Sequence, residues 1–162
     1  MPRLQQQGRA LLPDPDALVE DVVRYRLRAV TEEVRHVLKR VRARYRGTMS
    51  YAAAWRVEMT LAEVLNNIVE HAYATAPPGR VVLTLQRFPA RLACEAIDHG
   101  KPMPDFRIPL GTITEPPDDR AFIAEGGWGW AMIRSLTTHL SYQRVGPANR
   151  LRFDVPLLDT MF

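Results

Sequence analysis

The sequence predicts an α/β protein: a two-layer sandwich in which three helices cover one face of a mostly antiparallel mixed sheet of about five strands. Hydrophobic residues recur with strand and helix periods in the order β-α-α-β-β-α-β-β. Clusters of proline and glycine separate these periodic segments. The 162 residues, 46% hydrophobic and 25% charged, suit one folded domain with a substantial core.

The first half of the chain predicts one strand and two helices. Residues 22–28 alternate apolar and basic side chains, which is typical of a half-buried strand. From Thr31 the apolar spacing becomes helical until Gly47. Ser50 is expected to cap a second helix that runs to about residue 74. The predicted core face of this helix comprises Val57, Leu61, Val64, Leu65, Ile68 and Ala72.

The second half predicts a hairpin, a long irregular segment, a helix and two more strands. The hairpin covers residues 81–88 and 92–97. Residues 99–126 are rich in proline and glycine, and a loop of that length in a small domain is either a functional lid or disordered. A helix is expected over about 128–139, followed by strands at 140–145 and 150–155.

The chain is expected to consist of a flexible tail, residues 1–20, and one folded domain, residues 21–162. No signal peptide or membrane-length apolar run is present. Cys94 is the single cysteine, so no internal disulfide can form, and a reducing cytoplasm is the expected location. Alternation along its strand predicts that Cys94 points into the core.

Positive charge is concentrated in one stretch, residues 24–46, against a net charge of +4 for the chain. Such a stripe either attracts nucleic acid or an acidic protein, or is the solvated face of a helix. No aromatic side chains interleave it in the way that base stacking requires, which disfavours direct nucleic-acid binding.

The second helix carries four polar residues beside its apolar stripe: Glu63, Asn67, Glu70 and His71. Their spacing places Glu63, Asn67 and residue 70 or 71 on adjacent turns of one side, at the rim of the core face. That position suits the lining of a cleft, although a solvated helix side has the same spacing.

Two further segments carry functional candidates. Asp98 ends a strand, where a carboxylate can accept a hydrogen bond from an exocyclic amine, and Gly100 lets a ligand approach the backbone. Gly126, Gly127 and Gly129 lead into a helix, and free N–H groups at a helix start can hold a phosphate. Each pattern alone also occurs in ordinary turns and loops.

Two alternative chemistries are disfavoured. His71, Asp98 and His99 lack zinc-type spacing. Ser135 and His139 are expected four residues apart on one helix without an orienting acid nearby, which argues against a hydrolytic triad.

Taken together and in this order, the motifs Glu-x3-Asn-x3-His, strand-Asp-x-Gly, lid and Gly-Gly-x-Gly-helix resemble the GHKL superfamily of Bergerat-fold ATPases. AEVLNNIVEHAY, GGWGWAMIRSL and NRLRF are similar to segments of the anti-sigma regulatory factors, the serine kinases of bacterial partner-switching systems. The resemblance covers residues 22–157.

The resemblance implies ATP and Mg²⁺ as ligands and gives each candidate residue a role. Glu63 corresponds to the acid that activates the attacking nucleophile. Asn67 corresponds to the asparagine that binds Mg²⁺ beside the triphosphate. Asp98 corresponds to the acid that accepts the adenine amino group, with Gly100 under the base. The implied ATP-binding set is Asn67, His71, Asp98, Gly100, Gly126, Gly127 and Gly129.

The chain departs from the general superfamily pattern in two places. Pro102 stands where the Asp-x-Gly-x-Gly box has its second glycine, and Trp128 and Trp130 replace smaller side chains in the last glycine box. Arg107 and Arg120 in the lid are candidate γ-phosphate ligands without a motif match, and a solvated arginine is the alternative.

The resemblance implies an ATP-dependent anti-sigma factor that binds a sigma factor and phosphorylates a serine of a STAS-domain anti-anti-sigma antagonist. A homodimer is expected, with no membrane association. The alternative is an ATP-binding module that regulates a partner without kinase activity.

Overall fold

A computed structural model describes residues 18–111 and 128–159 of the chain. The elements follow the predicted order: β1 (Asp21–Arg28), α1 (Thr31–Arg44), α2 (Tyr51–Asn67), a π-helical turn (Ile68–Ala72), β2 (Arg80–Arg87), β3 (Arg91–Asp98), a 3-10 turn (Pro104–Phe106), α3 (Trp128–Leu136), β4 (Thr138–Val145) and β5 (Ala148–Pro156). Residues 1–17 lie outside the described ranges, so the flexible tail stays a prediction.

The five strands form one sheet in the order β1-β2-β3-β5-β4. Every strand pair in the described part of the chain is antiparallel, so this sheet is purely antiparallel rather than mixed. Because β5 inserts between β3 and β4, the last residue of β3, Asp98, lies directly opposite Asn149 near the start of β5. The topology thereby brings together two polar residues that are 51 positions apart.

The helices cover one face of the sheet, and the core lies between the two layers. Inward positions of the strands, such as Leu83, Leu92 and Phe153, are almost completely buried. The predicted core face of α2 is confirmed: all of its members are buried except Ala72, which is partly buried and packs against the core.

The beginning of α2 follows the prediction from its capping residue. Ser50 Oγ accepts a hydrogen bond from the Ala53 N–H at 3.1 Å, which satisfies one of the free donors of the first turn. The preceding helix ends at Arg44, and Gly47 follows with a φ of +72°, a conformation that favours glycine.

The prediction for the end of α3 is wrong. The helix stops at Leu136 rather than near residue 139, and His139 belongs to β4 with a φ of +52°. Ser135 and His139 therefore do not share a helix face, and the His139 Nδ1 lies 3.0 Å from Asp154 Oδ2. The strand pairing, which sequence periodicity does not show, ends the helix earlier than its apolar pattern suggests. Ser135 Oγ donates to the Met132 carbonyl instead of to a histidine.

Cys94 is buried, as its position in the strand predicts, and burial raises the pKa of its thiol. Among the described residues no helix is both long and apolar enough to span a bilayer.

Candidate ATP site

A cavity of about 410 Å³ opens between the C-terminal half of α2 and the ends of β3 and β5. Its lining combines apolar side chains with a few polar ones, as expected for a small-molecule site. The members that matter for binding are Asn67, His71, Asp98, Lys101, Trp130 and Asn149.

Asp98 is a carboxylate buried at the base of this cavity, with 4% of its surface exposed. Its Oδ1 accepts the Gly100 N–H at 2.8 Å and the Asn149 side-chain amide at 2.8 Å. Burial raises the pKa of Asp98, while the hydrogen bonds from Asn149 and Gly100 lower it. Both of these bonds go to the same oxygen, so the other carboxylate oxygen remains available as an acceptor.

Asn149 connects Asp98 to the first residues after β3. Its Nδ2 also donates to the carbonyl of Lys101 at 2.9 Å. Its Oδ1 accepts from the Tyr142 hydroxyl at 2.7 Å and from Arg144 Nη1 at 2.8 Å. Arg144 donates in addition to the Gly100 carbonyl at 2.8 Å. The floor of the cavity is thus a closed hydrogen-bond network.

Gly100 lies where the chain passes closely against the end of α2. A Cβ at this position would fall 2.5 Å from the Ala72 carbonyl oxygen, too close for any side chain. The same carbonyl accepts the Lys101 N–H at 2.8 Å. A glycine is therefore required here by the close approach of two backbones.

Asn67 also lines the cavity, and Glu63 lies one helical turn before it on α2. A Cβ on Gly129 would fall 2.7 Å from Glu63 Oε2 and 3.7 Å from Asn67 Nδ2, so the start of α3 lies directly against both side chains. Asn67 Nδ2 is buried and has no hydrogen-bond partner among the described residues. A buried amide without a partner costs stability, and such a group in a cavity indicates a position for a ligand.

The π-helical turn that follows α2 places His71 in the cavity. It begins at Ile68, directly after Asn67, and widens the helix by one residue per turn over its length. His71 lies on this turn and lines the cavity, whereas Glu70 does not line it.

The segment after Gly100 is described only as far as residue 111. Arg107 is exposed, which matches the solvated alternative in this structure. Gly126, Gly127 and Arg120 lie outside the described residues, so their predicted contacts with phosphate are neither supported nor contradicted.

The structure brings together six of the residues singled out in the sequence: Glu63, Asn67, His71, Asp98, Gly100 and Gly129. Sequence reasoning missed Asn149, Tyr142 and Arg144 as parts of the site. The available signal was Asn149 itself, a polar residue at an inward position of an otherwise apolar-alternating strand.

The polar groups near Glu63 fit a magnesium ion held partly by a nucleotide. Within the described residues no cluster of three or more His, Cys, Asp and Glu side chains is present. Mg²⁺ characteristically takes one or two protein ligands together with phosphate oxygens and water. The buried Asn67 amide supplies one such ligand if its oxygen, rather than its nitrogen, faces the cavity, and the two orientations differ by a half-turn of the side chain.

The fold and the cavity are those of an ATP-binding domain. The cavity of this two-layer sandwich combines a buried carboxylate at the end of β3, Asp98, with the polar end of α2 at Asn67. A model of the histidine kinase-like ATPase domain matches residues 23–155, and the chain belongs to this family. Membership in the family implies ATP binding, and it confirms the GHKL fold predicted from the sequence.

Two further comparisons extend the family match. The serine/threonine-protein kinase BtrW of Bordetella bronchiseptica is 30% identical over 103 residues, which cover 62% of this chain and 70% of that protein. The RsbU and RsbW domains of Rv1364c from Mycobacterium tuberculosis share the fold, with a TM-score of 0.58 and 18% identity over 85% of this chain. This chain spans 32% of the length of that one. The match to BtrW confirms the resemblance to the serine/threonine kinases of the GHKL superfamily, and the match to Rv1364c shows the common fold.

Proposed function

We propose that this chain is an ATP-dependent anti-sigma factor and protein serine kinase, which binds a sigma factor and phosphorylates a STAS-domain antagonist. The observation that carries the proposal is one cavity with two different polar ends. Asp98 lines one end, Asn67 lines the other, and Glu63 and Gly129 adjoin Asn67. The likeness to the kinase BtrW supports serine as the acceptor.

In this proposal the base end of the cavity, formed by Asp98, Gly100 and Asn149, recognises adenine. A carboxylate acceptor pairs with the exocyclic amine of adenine, and it repels the carbonyl oxygen that guanine carries at the equivalent position. Gly100 lets the chain after β3 pack against Ala72, and its N–H donates to Asp98 Oδ1. The Gly126–Gly127 pair, although outside the described residues, belongs to the proposed phosphate-binding loop.

The phosphate end, formed by Glu63, Asn67 and Gly129, carries out the chemistry. Asn67 would hold Mg²⁺, which would neutralise charge on the transferring phosphoryl group. The Glu63 carboxylate accepts the proton of the substrate serine hydroxyl as its oxygen attacks the γ-phosphate. The bond between the γ-phosphorus and the β,γ-bridging oxygen breaks, and ADP leaves with that oxygen. The absence of a side chain at Gly129 leaves room for the Glu63 carboxylate, since a Cβ there would fall 2.7 Å from Oε2.

Phosphorylation of the antagonist adds about 1.5 to 2 negative charges to its surface. Charge repulsion and desolvation at the interface then release the antagonist from the kinase. The homodimeric state belongs to the same proposal, and analytical ultracentrifugation of the full chain tests it.

A phosphotransfer assay tests the kinase function. The full chain is incubated with ATP, Mg²⁺ and the STAS-domain proteins of its host, and phosphoserine is located by mass spectrometry. We expect one STAS protein to be modified on serine. In Glu63→Gln the rate should fall by about 10² to 10⁴ while ATP binding persists, because general-base catalysis contributes about that factor.

Two outcomes contradict parts of the proposal. ATP binding without transfer to any STAS protein would leave an ATP-binding regulatory module without kinase activity. Equal transfer by the native chain and Glu63→Gln would remove Glu63 from the chemistry.

A further inference from the structure

We infer that Asn149 is a positioning residue for nucleotide recognition: its side-chain amide fixes one oxygen of Asp98 so that the other oxygen faces the base. This inference deepens the proposed function and rests on Asp98 as the adenine acceptor. It gives a role to Asn149, the first residue of the NRLRF segment, which the sequence motifs and the family match leave without one.

The partners of Asn149 determine the orientation of its amide. Arg144 Nη1 lies 2.8 Å from one terminal atom of the Asn149 side chain. A guanidinium can only donate, so that atom is the oxygen. The other atom is then the nitrogen, and it faces three acceptors: Asp98 Oδ1 and the carbonyls of Gly100 and Lys101. The network therefore leaves no freedom for the amide to flip.

The same network restricts the Asp98 carboxylate. Asp98 and Asn149 are directly opposed in the β3–β5 ladder, and both are at least 95% buried. Directly opposed residues on one face of a sheet have adjacent side chains. The Asn149 amide and the Gly100 N–H both donate to Oδ1, each at 2.8 Å. A carboxylate held through one oxygen presents its second oxygen in a fixed direction, which lowers the cost of ordering it on binding.

Tyr142 and Arg144 hold Asn149 from the other side. The Tyr142 hydroxyl donates to Asn149 Oδ1 and accepts the Met103 N–H at 3.1 Å. All hydrogen-bonding atoms of the Asn149 side chain are therefore engaged before a ligand arrives. Asn149 does not need to touch the nucleotide to affect its binding.

Because Asp98 must be ionised to accept the amine of the base, the role of Asn149 should change how nucleotide affinity depends on pH. Burial raises the pKa of Asp98, and the Asn149 hydrogen bond opposes that rise. The charged or titratable groups near Asp98 are Arg144 on β4, His99 and Lys101 after β3, and Tyr73 and His71 beside α2. Arg144 is the charged side chain among them that bonds to Asn149, and its bond to the Gly100 carbonyl does not involve Asn149. A change in the acid side of the binding profile therefore reports chiefly on Asp98.

The test measures ATP·Mg²⁺ affinity of the full chain by calorimetry from pH 5.5 to 8.5. Asn149→Leu removes the donor, and we expect affinity at pH 7.5 to fall by about 10- to 100-fold, as for the loss of a hydrogen bond to a charged group. In this variant the pKa of Asp98 should be higher than in the native chain, because the hydrogen bond that lowers it is lost. As the pH falls, ATP affinity should therefore begin to decrease at a higher pH than it does in the native chain.

Asn149→Asp keeps the shape of the side chain and the oxygen that Tyr142 and Arg144 contact. At pH 8.5 two carboxylates would face each other and binding should be weak. As the pH falls, one shared proton restores a donor between them, and binding should strengthen. The two variants are thus expected to have opposite slopes, which a merely structural role would not produce. Gln143→Glu, on the opposite face of the same hairpin, is the control for added negative charge.

The outcomes separate this inference from the proposed function. Failure of the folded native chain to bind ATP would overturn both. Binding by the native chain that Asp98→Asn abolishes, with native affinity and pH profile in both Asn149 variants, would overturn the role of Asn149 alone. Should Asn149→Leu fail to fold, Asn149→Asp against its control decides.

Discussion

The two ends of the cavity differ in how far the protein itself satisfies their polar groups. At the base end, Asp98 and Asn149 are buried and linked by short hydrogen bonds to each other and to the backbone after β3. At the phosphate end, the Asn67 amide is buried without a partner among the described residues.

This contrast has a physical reason. An adenine ring is rigid and needs one fixed acceptor, which a closed network supplies at no cost when the ligand binds. Phosphate groups and Mg²⁺ bring their own strong charges, so the groups that meet them gain most from being left free for the ligand. In the proposed function the base end is therefore complete in the folded chain, and the phosphate end is completed by ATP·Mg²⁺.

Asn67→Ala should weaken ligand binding at the phosphate end and leave the base end unchanged. Loss of the proposed Mg²⁺ ligand is expected to weaken ATP·Mg²⁺ binding by about 10- to 100-fold. Adenosine, which has no phosphates, should bind as it does to the native chain. Calorimetry with both ligands measures this, and Asn66→Ala on the same helix is the control. Loss of adenosine binding together with ATP binding would show that the two ends are not independent.

Gly129→Ala should disturb only the chemistry. The added Cβ would lie 2.7 Å from Glu63 Oε2, and the flexible carboxylate would have to move. We expect phosphotransfer to fall by about tenfold because small displacements of a catalytic group are costly. The melting temperature should not fall, since alanine favours the helix more than glycine does. An unchanged transfer rate would mean that Gly129 does not position Glu63.

Asp98→Asn should lose ATP binding without losing stability. The pKa of Asp98 is raised in the folded chain above its ordinary value of 3.8. The stability that this group contributes is therefore full below the unfolded pKa and is lost as the pH rises through the folded pKa. At pH 7 the ionised, buried carboxylate destabilises the chain, and the asparagine removes that charge while its oxygen keeps both donors.

Thermal unfolding of the native chain and Asp98→Asn from pH 4 to 7 checks this sign. The variant should become the more stable of the two as the pH rises. A melting temperature for Asp98→Asn well below that of the native chain at pH 7 would contradict the account of the base end.

Asp21→Asn should have the smallest effect and leave both ends unchanged. Asp21 pairs with Arg44 at 2.5 Å, but the two side chains are 29% and 41% exposed, so solvent weakens the pair. We expect a loss of up to about 1 kcal/mol in urea unfolding at pH 7. The Arg44 hydrogen bonds lower the pKa of Asp21, so this contribution is present above the unfolded pKa and disappears as the pH falls through the folded pKa. Altered ATP affinity in this variant would show coupling that the structure does not contain.

The fold was largely predictable from the sequence because its elements have clear hydrophobic periods. The α2 core face and the Ser50 cap depend on local spacing, and both are as expected. The end of α3 was not predictable in the same way, since the β4–β5 pairing draws residues 138 and 139 into a strand.

Site residues that lie on one element were predictable from the sequence. Site residues that meet only through the order of the strands were not. Glu63 and Asn67 share a helix, so their spacing alone indicates a common side. Asn149 meets Asp98 only because β5 inserts beside β3, a topological fact that no local pattern contains. The glycines at 126 and 127 remain predictions, outside the described residues.

Calorimetry of ATP·Mg²⁺ and GTP·Mg²⁺ with the full-length chain and with Asp98→Asn tests the central claim most directly. We expect the native chain to bind ATP in preference to GTP, and Asp98→Asn to lose this binding while it remains folded. Equal affinity of the native chain for ATP and GTP, or unchanged ATP binding by Asp98→Asn, would contradict the claim that this cavity recognises adenine through Asp98.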